Sequence, residues 1–391
     1  LIAYLLGITS VDPLRFGLIF ERFLNVERVF PPEFDLDFGA GRRGEVVDYI
    51  RKQYGADTVA AVASFPRFRF PGLLHDVGAA IRMTRKETER LAGLFPSGHA
   101  HRMDQVLQLG TDLRKAYDRD KKVRQVVDVA FKLEGLHQDL HAHATGIIVD
   151  RGPLIDTIPI ARGHGGETVT QYMTDALEDV GFVRIDLAGL PILDAAAEAE
   201  ARIRKSGKRL PDFDAGAPDD AATFEMINRG ETVGLHGLDN DGIRDLIRQT
   251  GVTRIDDLAA ILTLFRPSTM GLLEDYLNGR TGRVAPQADH PWIQLILKET
   301  YGTMLYQEQL TRIVCVFAGY SLGRAELTRG ILSRRRTDLL QSERQAFLES
   351  CARNRGIENS MSGPVFDRIA QVASLASSKA HAMGNALLAY R

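Results

Sequence analysis

The chain has 391 residues, 44% hydrophobic and 26% charged, with 49 Lys plus Arg against 51 Asp plus Glu and a net charge of −2. That length predicts two or three domains, and the composition excludes wholesale disorder and a uniformly basic coat, although local basic patches stay possible. The two cysteines, Cys315 and Cys351, are far apart, which excludes a disulfide framework and a cysteine-built metal site. The apolar runs are too short to span a bilayer, and LIAYLLGIT has no basic head or cleavage site of a signal peptide, so a cytoplasmic setting is expected. Both ends stop inside apolar segments, which reads as a portion of a larger protein.

In chain order, residues 1–62 mix short apolar segments with one amphipathic helix, RRGEVVDYIRKQYG. Its Val46, Val47, Ile50 and Tyr54 recur at helical spacing and Gly55 closes it. Residues 63–125 are basic and helical, and residues 126–198 return to strand-like text such as TGIIVD and FVRIDLAGL. The polar stretch RIRKSGKRLPDFDAGAPDD is the best boundary candidate, and helical patterning fills the chain from 220 onward.

Within the first region, Pro31-Pro32-Glu33-Phe34-Asp35-Leu36-Asp37-Phe38 alternates acids with apolar residues. Period 2 puts Asp35 and Asp37 on one face of a strand and Phe34, Leu36 and Phe38 on the other. A solvated edge strand explains this, and so does a divalent cation, because Mg²⁺ takes hard oxygen ligands and leaves room for phosphates. Val183-Arg184-Ile185-Asp186-Leu187 reads as a second strand with one acid between apolar neighbours and Arg184 expected on the opposite face. If the two strands are adjacent, Asp35, Asp37 and Asp186 form a three-carboxylate cluster of the kind that holds two metal ions in phosphoryl transfer.

Ser64-Phe65-Pro66-Arg67-Phe68-Arg69-Phe70-Pro71 interleaves arginines with aromatics. Extended, it would present Arg67 and Arg69 to a phosphate backbone, or serve as an edge segment packed by its phenylalanines. Arg324, Arg329, Arg334, Arg335 and Arg336 form a second basic cluster, either a solvated face or a triphosphate-binding surface. Lys379 and His381 add a cation and an imidazole on one short segment. His137, His141 and His143 lack the Glu of a zinc hydrolase and read as core or substrate-lining histidines, and no GxGxxG or Walker loop is present.

A dozen motifs then occur in a familiar order, among them AYLLGIT at 3–9, FERFLNVER at 20–28, PPEFDLDF at 31–38, HATGIIV at 143–149, VRIDLAGL at 183–190, YGTMLYQEQL at 301–310, AGYSLGRAELTRG at 318–330 and SSKAHAMGNALLAY at 377–390. On these the chain resembles the family C replicative DNA polymerases, the alpha subunits of bacterial DNA polymerase III, over nearly its whole length. The resemblance implies an α+β fold with a polymerase-beta-like nucleotidyltransferase palm (1–62 and 126–198), a helical thumb insertion (63–125) and mostly helical, incomplete fingers (199–391). It implies template-directed DNA synthesis from dNTP on a primer–template with two Mg²⁺ ions, and partners such as a sliding clamp and other replication or repair subunits. It places Asp35, Asp37 and Asp186 on metal-binding aspartates, and Arg184, Arg329, Arg334, Arg335, Lys379 and His381 near the incoming nucleotide. His381 would sense the sugar. Arg67 and Arg69 would contact DNA, and their RFRFP arm is closer to the error-prone, translesion branch.

The chain departs from the family pattern at several positions. Gly330 replaces a fingers arginine, Pro71 and His75 replace basic residues, Asn385 replaces an aromatic, and His236-Gly237 stand for a Phe-Gln pair. Lost cations favour a rival reading, a non-catalytic DNA-binding or assembly subunit that keeps the fold, while the three aspartates oppose it. A metal phosphohydrolase would share the carboxylates but leave the second half of the chain unexplained.

Overall fold

A computed structural model of the chain describes residues 2–28, 34–70, 72–95, 107, 111–210, 218–283, 290–334 and 337–391. The chain forms two compact units, one of Glu33–Leu190 and one of Leu1–Pro32 with Pro191–Arg391. No helix among the described residues is long and apolar enough to cross a membrane.

The Glu33–Leu190 unit is built on one six-stranded mixed sheet, so the α+β expectation holds. Its strands are β1 (Phe34–Gly39), β2 (Val59–Ser64), β3 (His141–Val149), β4 (Ile160–Arg162), β5 (Thr168–Thr170) and β6 (Ile185–Leu190), in the order β1-β6-β3-β2-β5-β4. β1 runs parallel to β6, β3 antiparallel to both β6 and β2, and β2 parallel to β5. The period-2 pattern sorts the faces. Leu36, Phe38, Ile147, Ile185 and Leu187 lie on one face, where Val46, Val47 and Ile50 of the helix Arg43–Tyr54 cover them. Tyr54 does not join this stripe as its spacing suggested. It is the last helical residue and is exposed, and Gly55 follows at φ 111 with its N–H on the Arg51 carbonyl. The opposite face is apolar at β2 and β3, where Ala60, Val62 and Ile148 pack with Leu154, Ile158 and Leu177. Toward β6 and β1 that face turns polar, and there the candidate site lies.

Between β2 and β3 the helices Gly72–Ala80, Arg85–Ala92, Asp112–Arg119 and Lys121–Leu133 close a separate small core of Leu73, Leu74, Val77, Leu91, Leu113, Val123, Val126, Val127 and Ala130. The Arg85–Ala92 helix starts with a reciprocal Thr84–Glu87 capping box, which satisfies two amides that would otherwise be orphaned.

The second unit is helical. In one core the helix Ile255–Leu264, buried except at Asp256, packs on Lys379–Tyr390, and in the other Gln307–Ala318 packs with Leu322–Ser333, Thr337–Arg355 and Asn359–Val372. The first residues of the chain are stitched to these helices by side-chain bonds, including Arg22 Nε to Gln307 Oε1 at 2.9 Å and Arg312 to the Gly17 carbonyl at 2.8 Å. The divisions expected after residues 62, 125 and 198 fall inside β2, the helix Lys121–Leu133 and the helix Pro191–Lys205. The compact units divide at 32/33 and 190/191.

Candidate active site

The parallel pairing of β1 with β6 sets Asp35 directly opposite Asp186, and Leu36 opposite Leu187. Side chains opposite one another in a sheet share a face, and Asp37 lies one pleat further along on that face. The adjacency that the sequence left conditional is therefore present in the backbone. Asp35 and Asp37 are exposed, and Asp37 makes no hydrogen bond or ion pair among the described residues.

Asp186 is the sheltered member, with a side chain only 14% exposed. Its Oδ1 accepts a bond from Thr145 Oγ1 at 2.6 Å, and its Oδ2 lies 2.7 Å from Arg184 Nη2. Arg184 thus shares the face of Asp186 rather than lying opposite, as period 2 requires of residues two apart. Its Nη1 also bonds Thr174 Oγ1 at 3.0 Å. Its stem crosses Gly146, where a Cβ would come within 3.0 Å of Arg184 Cδ, so the missing side chain is what admits the arginine. His143 Nδ1 accepts the Gly146 N–H at 3.0 Å and the Thr145 N–H at 3.3 Å. The same nitrogen lies 3.9 Å from Asp186 Oδ1. Arg43 ties the sheet beneath by donating to the Leu187 and Thr145 carbonyls.

Three carboxylates on adjacent, in-register positions suit a hard divalent cation in ligand type. Their side chains nevertheless do not converge. Among the described residues no three His, Cys, Asp or Glu groups gather closely enough to hold a metal ion, and Asp186 is turned onto Arg184 and Thr145.

On the helical insertion, Arg67 and Arg69 are exposed while Phe68 and Phe70 pack on the small core, matching the expected alternation. The segment is not a free strand. It is clamped to residues 135–138 by four bonds, including Arg67 Nη1 to the Gly135 carbonyl at 2.8 Å and Phe68 N to Leu136 O at 2.9 Å.

The other candidates lie in the second unit. Arg329, only 6% exposed, donates through Nε (2.9 Å) and Nη2 to the Glu326 carboxylate and through Nη1 to Ser333 Oγ at 2.8 Å. Arg334 is exposed at the end of the helix Leu322–Ser333, and Arg335 lies outside the described residues. Lys379 is buried, with Nζ 2.6 Å from Glu299 Oε2. Its backbone N–H donates to Glu308 Oε2 at 2.8 Å, so Glu308 caps the start of the helix Lys379–Tyr390. His381 is exposed and bonds Asn385 at 3.0 Å, and Asn385 in turn meets His236 Nε2 at 3.1 Å. Two departures from the family pattern, His236 and Asn385, are therefore bonded to each other.

The residues that sequence reasoning missed are the partners: Thr145, Thr174, Glu299, Glu308 and Glu326. Only Glu326, three residues before Arg329 and so one turn away, carried a local signal. The others come from distant segments.

Comparison with known families agrees with this picture. Residues 1–189 match the family described as the bacterial DNA polymerase III alpha NTPase domain, and residues 192–355 match the bacterial DNA polymerase III alpha subunit finger domain. The chain is 36% identical to the DNA polymerase III subunit alpha of Thermus aquaticus, aligning over 100% of its own length and 32% of that relative's. It is 34% identical to the subunits of Caulobacter vibrioides and Bacillus subtilis, covering 34% and 35% of them and aligning over 100% and 99% of itself. The chain thus spans about a third of the length of these relatives, and none of the three carries a repair or translesion name. With two family matches that together take in most of its residues and full-length alignment to these subunits, the chain belongs to the family of bacterial DNA polymerase III alpha subunits.

Proposed function

We propose that the chain is the part of a replicative DNA polymerase that carries the nucleotidyl-transfer site: a primer 3′-hydroxyl attacks the α-phosphate of a dNTP, and pyrophosphate leaves. The observation that carries this reading is the β1–β6 register, which sets Asp35 opposite Asp186 with Asp37 on the same face. Asp35, Asp37 and Asp186 would hold two Mg²⁺ ions, which when bound lower the pKa of the attacking hydroxyl and neutralise charge on the leaving oxygens. Thr145 orients Asp186, and Arg184 offers a planar fork suited to a phosphate oxygen. On this reading the sheet is a palm, the helical insertion a thumb, and the helical unit fingers, in which Arg329, Arg334, Arg335, Lys379 and His381 would meet the nucleotide. Arg67 and Arg69 would track the DNA backbone. A clamp and other replication subunits as partners, and a cytoplasmic location, belong to the same proposal.

A second reading has its own support. Lys379 and Arg329 are already neutralised by Glu299 and Glu326, as expected of a DNA-binding or assembly subunit that keeps the fold without full activity. Primer extension with Mg²⁺ by the full-length protein separates the two. Asp35→Asn and Asp37→Asn should each abolish extension while leaving thermal unfolding unchanged. Wild-type protein that binds primer–template without extending it supports the second reading, and wild-type extension rates in either variant refute the site.

A further inference from the structure

We propose that Arg184 is an internal counter-ion that holds Asp186 out of the metal-binding arrangement, so that a divalent cation and a triphosphate displace the Arg184–Asp186 pair together and bind cooperatively. The proposal rests on the polymerase reading and adds to it an order within the site.

The backbone and the side chains disagree at this point in the fold. Register brings Asp35 and Asp186 face to face, yet the carboxylates do not converge among the described residues. Asp186 contributes to the difference, for its Oδ2 is engaged by Arg184 at 2.7 Å and its Oδ1 by Thr145 at 2.6 Å. Arg184 is itself fixed in this pose, held by Thr174 at 3.0 Å and seated over the bare Cα of Gly146.

The physical logic is substitution of one cation by another. Two carboxylates facing each other across paired strands repel, and the guanidinium offsets that repulsion with a charge-assisted bond sheltered from water. A divalent ion on Asp186 would do the same with twice the charge and would repel the guanidinium beside it. The displaced Arg184 then needs an anion, and its fork matches a phosphate oxygen pair. Read the other way, a triphosphate that captures Arg184 uncovers Asp186 for the metal. Coupling of this kind is reciprocal by linkage, so each ligand must tighten the other by the same factor.

The test uses full-length protein and direct binding. Mn²⁺ is titrated with the free-ion electron paramagnetic resonance signal, and an α,β-methylene dNTP is titrated in EDTA. Arg184→Gln removes the competitor and should tighten Mn²⁺ binding about tenfold, the equivalent of about 1.4 kcal/mol. Asp186→Asn releases Arg184 and should tighten metal-free binding of the nucleotide by a similar factor. Gly146→Ala, which crowds the Arg184 stem and keeps both charged groups, should tighten Mn²⁺ in the same direction and covers the case in which Arg184→Gln fails to fold. Mn²⁺ affinity that is unchanged or weaker in folded Arg184→Gln overturns the counter-ion role, since a merely structural arginine would leave Asp186 worse placed. If Asp35→Asn and Asp37→Asn also bind Mn²⁺ as wild type does, the metal site itself is wrong. If those two lose Mn²⁺ while Arg184→Gln does not gain it, only the counter-ion fails.

Discussion

Arg329 is the residue at which a structural and a nucleotide-binding role can be told apart by stability alone. Replacing it with Met removes both charge-assisted bonds to Glu326 and the bond to Ser333, while keeping much of the side-chain volume. Breaking a buried ion pair from one side costs about 3–5 kcal/mol, because the surviving charge is stranded. Glu326 would not be wholly abandoned. The Thr311 hydroxyl still donates at 2.8 Å and Arg22 lies 3.8 Å away, so about 3 kcal/mol is the expected loss, at the low end of that range. With a urea m-value of roughly 2–3 kcal/mol/M for a unit of this size, the midpoint should fall by about 1 M at unchanged slope. Arg329→Met combined with Glu326→Leu should recover most of the loss, since Thr311 keeps its bond to the Gln307 carbonyl at 3.1 Å. A single-variant loss below about 1 kcal/mol would refute the reasoning: the guanidinium would then be only loosely held and already available to a ligand.

Three further outcomes follow from the geometry. Arg67→Gln with Arg69→Gln should weaken DNA binding evenly across sequences and flatten the slope of log affinity against log salt by roughly one unit per lost phosphate contact; an unchanged slope returns both to a packing role. His381→Ala should raise ribonucleotide incorporation more than it lowers dNTP incorporation in a competition assay, with little pH dependence because exclusion is steric, and equal discrimination in both proteins removes the role. Burial pushes the Glu308 carboxyl above its ordinary range, and among the described residues its Oε1 has no hydrogen-bond partner. The neutral form is therefore favoured on folding, and the charged form costs stability above the folded pKa. Glu308→Gln should raise the melting temperature at pH 8, with the gain shrinking toward the unfolded value of 4.5; a gain that is flat with pH would show that folding does not raise the Glu308 pKa.

Much of the site was legible where chemistry repeats locally. The alternation around Asp35 and Asp37 set their common face, and the Phe68–Phe70 spacing set which side of the arm packs. Arg184 was also legible, since two residues apart in a strand means one face, and the expectation of the opposite face was a misreading of that rule. What no local pattern holds is pairing across distance. Lys379 finds Glu299 and Asp186 finds Thr145 only after the chain has folded back. The start of the polar text at 202–220 shows the same limit: it reads as a linker, yet the helix Pro191–Lys205 continues into it on i,i+4 pairs such as Arg204 with Glu200 at 3.1 Å, an exposed helix supported by charge rather than by a buried stripe.

The pairing of β1 with β6 also sets a timetable. About 150 residues separate the two strands, so during synthesis at roughly 5–20 residues per second β1 waits on the order of ten seconds for its partner. The helical insertion, built on local contacts, can assemble in that interval, whereas the sheet that carries the proposed site closes late. Meanwhile β1 is an unpaired strand with three large apolar side chains on one face, the kind of segment that captures a neighbouring chain. Asp35 and Asp37 alternate with Phe34, Leu36 and Phe38, and two negative charges on so short a strand discourage it from stacking on its own kind. The carboxylates proposed for catalysis would thus have an earlier task, keeping a waiting strand in solution until the rest of its sheet exists.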